Sequence, residues 1–154
     1  MKPPRMWDEE RSSPWLLALY AAAFCAATLP AHKTEAAELV LHLGSAHSHA
    51  GYNNTNPGAG LRLDNGIAFG AYRNSYRRST VYAGWQPDWP LGDTGLRAGF
   101  FIGAATGYRV ATGHAVSPMA AITLRWGPVQ LLAIPAISPK HASVIHAALV
   151  FHQL

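Results

Sequence analysis

Eight histidines, one cysteine and a scatter of serines are the groups in this 154-residue chain best suited to act as base or nucleophile. A single Cys excludes a disulfide framework and a Cys-based zinc module. A His set beside a Ser suits acyl chemistry: a neutral imidazole takes the hydroxyl proton, and the oxygen attacks or assists. His42, His47 and His49 lie close together in the chain, and Ser75 sits inside the basic run Arg73, Asn74, Ser75, Tyr76, Arg77, Arg78. Arg109 with His114, and Lys140 with His141, repeat the mixture of cation and imidazole further on. No Asp or Glu lies among these residues to orient an imidazole. The spacing of His42, His47 and His49 matches no strong zinc pattern, so no metal is expected.

What positions these residues is legible in the hydropathy. Residues 1–37 read as a secretory signal: Lys2, Arg5 and Arg11 form a basic end, and Trp15–Ala27 is densely apolar. Cleavage after Ala31 or Ala36 leaves a mature chain without Cys, as suits an oxidising envelope. From residue 38 onward apolar residues recur with period two. Leu39, Leu41 and Leu43 share one face of the first segment; Val40, His42 and Gly44 share the other. Seven further segments alternate likewise, and no charge falls on the first set of faces. The second set holds His42, Arg62, Arg97, Arg125, His146 and most of the strand glycines. A water-facing surface needs more Lys, Glu and Asp than that. The pattern therefore predicts an inside-out, all-β fold: an eight-stranded antiparallel transmembrane β-barrel over 38–154, apolar outside, Arg and Gly inside. Lipid accepts a sheet only when it closes on itself.

Connection lengths give the barrel two ends. Asp64-Asn65-Gly66 and Trp126-Gly127-Pro128 are tight turns, with Gln86–Gly95 a longer stretch on the same side. The alternate connections, 47–55, 73–80, 107–118 and 135–141, are long and collect the His, Ser and Arg residues at one rim. That rim carries cations and no acid, which suits phosphorylated lipid headgroups. Tyr52, Tyr76 and Tyr108 fall near it and Trp85, Trp89 and Trp126 near the other, as two aromatic girdles. The net charge of +4 is too modest for a nucleic-acid footprint, and no nucleic-acid partner is expected.

From Tyr52 onward the chain resembles the outer-membrane lipid A palmitoyltransferase family, PagP. The similar segments are YNNTNPGAG, GAYRNSYRRSTVYAGWQPDW, LRAGFFIGAATGY and WGPVQLLAIPA, in that order. The resemblance implies an enzyme of the bacterial outer membrane that moves a palmitoyl chain from a phospholipid donor to the lipid A of lipopolysaccharide. It implies a monomer without cofactor. It implies His42 as base, with His47 the alternative, and Ser75 beside Asn74 as the remaining catalytic positions. Arg73, Arg77, Arg78 and Arg109 are expected to bind substrate phosphate. The family carries Asp where this chain has Asn74, and an amide cannot stabilise an imidazolium as a carboxylate does. Pro57, Pro118 and Pro135 resemble the proline-interrupted strand ends through which that family admits lipid. Two other readings remain open: a non-catalytic structural or adhesive barrel, and a lipid A deacylase with water as acceptor. A lumen lined by Gly and apolar residues favours an acyl pocket; one plugged by Arg, His and Tyr favours the structural barrel.

Overall fold

A computed structural model describes residues 37–136 and 142–152. Most of the expected signal segment, Lys140 and His141 lie outside those residues. Nine strands form: β1 (Ala37–His47), β2 (Thr55–Leu63), β3 (Ile67–Arg73), β4 (Ser79–Trp85), β5 (Asp88–Pro90), β6 (Leu96–Thr106), β7 (Val116–Trp126), β8 (Val129–Ile134) and β9 (Val144–His152). Every pairing is antiparallel, β1 pairs with β9, and β4 pairs with β6, so the sheet closes. One turn of helix, α1 (Arg109–Thr112), lies in the β6–β7 connection, closed by Gly113 in the left-handed region.

Nine strands make eight staves, because β4 and β5 are one stave. Trp85 faces Ile102 and Asp88 faces Gly99, the same register carried across Gln86 and Pro87. Pro87 has no N–H for the ladder, so the strand is interrupted there without being displaced. Its carbonyl still accepts from Phe100 N–H at 3.3 Å. The long stretch expected at 86–95 therefore contains the strand Asp88–Pro90, and the connection itself shortens to 91–95. Followed around the barrel, the registers accumulate a stagger of about ten residues, which with eight staves corresponds to a tilt of about 40°.

The alternating faces sort as the period-two pattern requires. Leu39, Ile67, Trp85, Ile102, Ile122, Leu124, Trp126, Leu131 and Ile145 are exposed on the outer wall. Inside are Val40, His42, Arg62, Tyr72, Tyr82, Gln86, Phe101, Thr123, Arg125, Gln130, His146 and Ala148. The strand glycines are notches for the aromatic rings. A Cβ on Gly60 or Gly70 would strike the Tyr82 hydroxyl, and one on Gly84 or Gly103 would strike the ring of Phe101.

The lumen is layered. At the lower end, where the turns are tight, Glu38 pairs with Arg62 and Arg125, and Asp88 pairs with Arg62 and Arg97. Buried charges survive only when paired in this way. Above them Gln86 donates to Gln130 at 2.9 Å. The upper half packs Ala68, Tyr72, Tyr82, Phe101, Ala105 and Ala121, with Tyr108, Met119, Leu132 and Ile134 against them. Two cavities, of about 560 and 580 Å³, open among Arg97, Arg125 and His152 at the lower end.

Pro57 and Pro135 stand where pairing runs out, whereas Pro118 lies inside β7, in register with Ala104 on β6 and unpaired only on its β8 side. Pairing of β2 with β3 stops at Gly58, next to Pro57. Pairing of β7 with β8 stops at Ile122 and Ala133, below Pro118 and Pro135.

Candidate active site at the upper rim

The site begins with an irregularity in β1. The register against β2 and β9 slips between His42 and Gly44, a β-bulge. A bulge adds one residue to one strand and reverses the phase of everything beyond it. Strict alternation from inward-facing His42 would send His47 to the outer wall. After the bulge Ser45 and His47 face inward instead, and Ala46 is exposed. Gly44 is required at this spot because a Cβ there would lie 2.6 Å from the Asn54 carbonyl.

His47 Nε2 lies 2.7 Å from Ser75 Oγ, and His47 Nδ1 lies 2.9 Å from Asn54 Oδ1. An amide oxygen only accepts, so Nδ1 carries the proton and donates it to Asn54. That leaves the Nε2 lone pair to accept from the Ser75 hydroxyl. Ser75, His47 and Asn54 thus stand in the relation of nucleophile, base and orienting group. Tyr52 stacks on the His47 ring, centroids 4.6 Å apart and planes at 15°, fixing its plane. Ser75 and His47 are half-buried and Asn54 is exposed.

The segment Tyr52-Asn53-Asn54-Thr55-Asn56 sews the first connection to the second. Asn53 N–H donates to the Ser75 carbonyl at 2.8 Å, and its side chain donates to Asn74 O. Buried Asn56 donates to Arg73 O at 2.9 Å and accepts from Ser45 Oγ. His47 at the end of β1 and Ser75 in the β3–β4 connection are far apart in sequence, and these amides hold them in register.

Asn74 has a different task. It is fully buried, and all its capacity is used. Its Oδ1 accepts from the N–H groups of Tyr76 and Arg78, and its Nδ2 donates to Thr80 Oγ1 and Gly107 O. It shapes the turn that presents Ser75, a turn tight enough to hold Arg77 at φ 61°. Its side chain makes no bond to His47 or Ser75. Sequence reasoning passed over Asn54 because it sought a carboxylate; the signal was the amide-rich YNNTN segment.

His42 is buried in the lumen, Nδ1 3.0 Å from His146 Nε2 and Nε2 3.0 Å from Tyr82 O–H. It makes no bond to Ser75, so the expected His42–Ser75 pair is not the one the fold assembles. His49 points to its neighbour Ser48, and the three early histidines do not converge. Arg73, Arg77 and Arg109 are exposed around the mouth and Arg78 is half-buried. All four acids of the described residues, Glu38, Asp64, Asp88 and Asp93, lie toward the lower end. The three rim tyrosines pack on one another instead of forming an outward girdle: Tyr52 meets Tyr76 edge-on, and Tyr76 meets Tyr108. Tyr108 shares a 2.6 Å hydrogen bond with lumenal Tyr72. Burial, then the neighbouring Tyr52 hydroxyl, pushes Tyr76 up to about 12, so it stays protonated.

No family model matches the chain, and comparison with curated proteins finds no relative.

Proposed function

We propose that the chain is an outer-membrane acyl-ester enzyme in which Ser75 is the nucleophile, His47 the general base and Asn54 the orienting group. The observation that carries this reading is the continuous hydrogen-bonded relay from Ser75 Oγ through His47 to Asn54 Oδ1 at the cationic rim. Ser75 Oγ attacks the ester carbonyl of a lipid while its proton passes to His47 Nε2. The bond to the departing alcohol breaks, and His47 returns the proton to that oxygen. The acyl chain then rests on Ser75 until a second hydroxyl, deprotonated by His47, takes it and restores the serine. Arg73, Arg77, Arg78 and Arg109 supply positive charge for the lipid phosphate.

The outer-membrane setting is supported by the apolar wall, the charged and glycine-notched lumen and the single closed sheet. The acceptor implied by the PagP resemblance is a lipid A hydroxyl, with a phospholipid as palmitoyl donor. A second reading, lipid A deacylation, has water as acceptor and is favoured by the rim position of the three groups, Asn54 exposed and none of them fully buried. Mass spectrometry of lipid A from cells with and without the gene separates the two. A gain of one acyl chain supports the transferase, and a loss supports the deacylase. No change with either wild type or a strongly expressed copy returns the chain to a non-catalytic barrel, the reading that a lumen plugged by Arg, His and Tyr favours.

A further inference from the structure

The charges at the lower end of the barrel do not balance, and the surplus has a place. Arg62, Arg97 and Arg125 share two carboxylates: Glu38 takes Arg62 and Arg125, and Asp88 takes Arg62 and Arg97. One guanidinium charge therefore stays uncompensated within the cluster. Arg97 and Arg125 are moreover direct partners in the β6–β7 register. Like charges directly opposite each other on a sheet are destabilising. Arg97 gives one Nη to Asp88, through Oδ1 at 2.8 Å and the carbonyl at 3.2 Å. Its buried Nε has no hydrogen-bond partner among the described residues. A buried N–H of this kind is short of an acceptor.

The two cavities at this end differ in charge. The first sets three acids, Glu38, Asp64 and Asp88, against the three arginines and offers an anion no surplus. The second, of about 580 Å³, has Arg97, Arg125 and His152 in its wall and no acid. Its remaining wall is mostly apolar, through Pro128, Val150 and Phe151. Arg125 and Val150 are buried on the lumenal side, whereas Phe151 is exposed on the outer wall opposite Leu39. The cavity thus joins lumenal guanidiniums to the apolar outer surface. Trp126, beside it at the β7–β8 turn, is 69% exposed, with its indole against Gly95. Exposed tryptophans stand at the headgroup level of a bilayer.

We infer that this second cavity binds the phosphodiester headgroup of a phospholipid, at the barrel end opposite Ser75. The phosphate oxygens accept from Arg97 and Arg125, which the shared register holds side by side. A phosphodiester carries a single negative charge, matching the one uncompensated guanidinium. Pro128, Val150 and Phe151 meet the glycerol and the first methylenes. A lipid held there ties the lower rim to its own leaflet, away from the leaflet that meets Ser75. The inference rests on the proposed membrane setting and not on the catalytic role of Ser75.

The test titrates the full-length protein in neutral maltoside micelles with dihexanoyl phosphatidylglycerol, inorganic phosphate and phosphate-free dihexanoylglycerol. The readout is the arginine Nε–H resonances, assigned through Arg73→Gln, Arg97→Gln, Arg109→Gln and Arg125→Lys. The phospholipid is expected to shift the Arg97 and Arg125 signals saturably, with an apparent Kd below about 1 mM. Inorganic phosphate should act on the same signals at least about tenfold more weakly, and dihexanoylglycerol on neither. Arg97→Gln is expected to raise the phospholipid Kd at least about tenfold, read on the Arg125 signal. Should that variant fail to fold, the wild-type titration decides alone. Reaction of Ser75 with an octyl fluorophosphonate reads the catalytic rim separately: the serine oxygen bonds to phosphorus, fluoride leaves, and the hydroxyl proton passes to His47. Its failure sinks the catalytic reading and leaves this site standing. The inference is overturned by the lack of a saturable Arg97 shift, or by shifts confined to Arg73 and Arg109. Phosphate binding as tightly as the phospholipid, or an unchanged Kd in folded Arg97→Gln, overturns it equally.

Discussion

Asn74 and Asn54 show how differently two amides on one rim are used. Asn54 offers a single oxygen to His47, a contact that fixes the imidazole tautomer but adds no negative charge. An orienting amide of this kind selects the proton position, and the imidazolium formed during attack relies on the surroundings for stabilisation. Asn74 offers four bonds, two as donor, and none of them to the reacting groups. The resemblance to an Asp-Ser pair suggests that Asn74→Asp would strengthen the enzyme. The geometry gives the opposite sign. A carboxylate cannot donate to Gly107 O, and it sets an oxygen against that carbonyl in a site closed to water. Leaving such buried groups unsatisfied costs about 1–3 kcal/mol each. Asn74→Asp is therefore expected to lower both the barrel's resistance to denaturant and the rate of Ser75 labelling, and urea titration alongside labelling checks it.

At the scale of the strand, β1 decides the site. Its period-two pattern tells which residues face the lumen as far as His42, and the fold agrees because backbone alternation admits only two phases. The bulge before Gly44 then switches the phase. Gly44 is the one hint, since a strand glycine often marks a bulge, but Gly60, Gly70 and Gly84 sit in regular register and so it does not single out this place. The resemblance points first to His42, with His47 the alternative; His42 lies inside the barrel with no bond to Ser75, and it is His47 that the bulge turns toward that serine. The stave made of β4 and β5 was hidden for a related reason: Gln86-Pro87 reads as a loop, although the register resumes unchanged at Asp88. Faces and closure follow from averages over many residues, whereas a bulge or a bridged proline depends on one. If the bulge sets the catalytic geometry, Gly44→Val should injure activity more than folding. Its side chain would meet the Asn54 carbonyl and push aside the residue that orients His47. A fall in Ser75 labelling of about 10²-fold, with unchanged strand circular dichroism, is the expected result.

The barrel as a whole is organised as a polar and aromatic plug inside an apolar wall. Its lower layer holds Glu38 and Asp88 among three arginines, and its upper half packs rings into glycine notches. A water-soluble barrel would expose the charges and bury the leucines, so the outer wall is where the membrane assignment can fail. Leu61→Arg places a cation on that wall, opposite Leu39 and Phe69. In a membrane barrel this change should cost about 2–4 kcal/mol near the bilayer midplane and reduce the folded, heat-modifiable band on gels. Normal assembly of the variant, or a mature chain that stays dispersed without detergent, contradicts a lipid-facing wall.

The most direct measurement is mass-spectrometric mapping of an octyl fluorophosphonate adduct on the folded wild-type protein, His47→Ala and His42→Ala. The expected result is one adduct, on Ser75, formed about 10²–10⁴-fold more slowly in His47→Ala. His42→Ala should label at close to the wild-type rate, because His42 is bonded to His146 and Tyr82 and makes no bond to Ser75. Absence of an adduct in wild type, or equal labelling in His47→Ala, contradicts the triad.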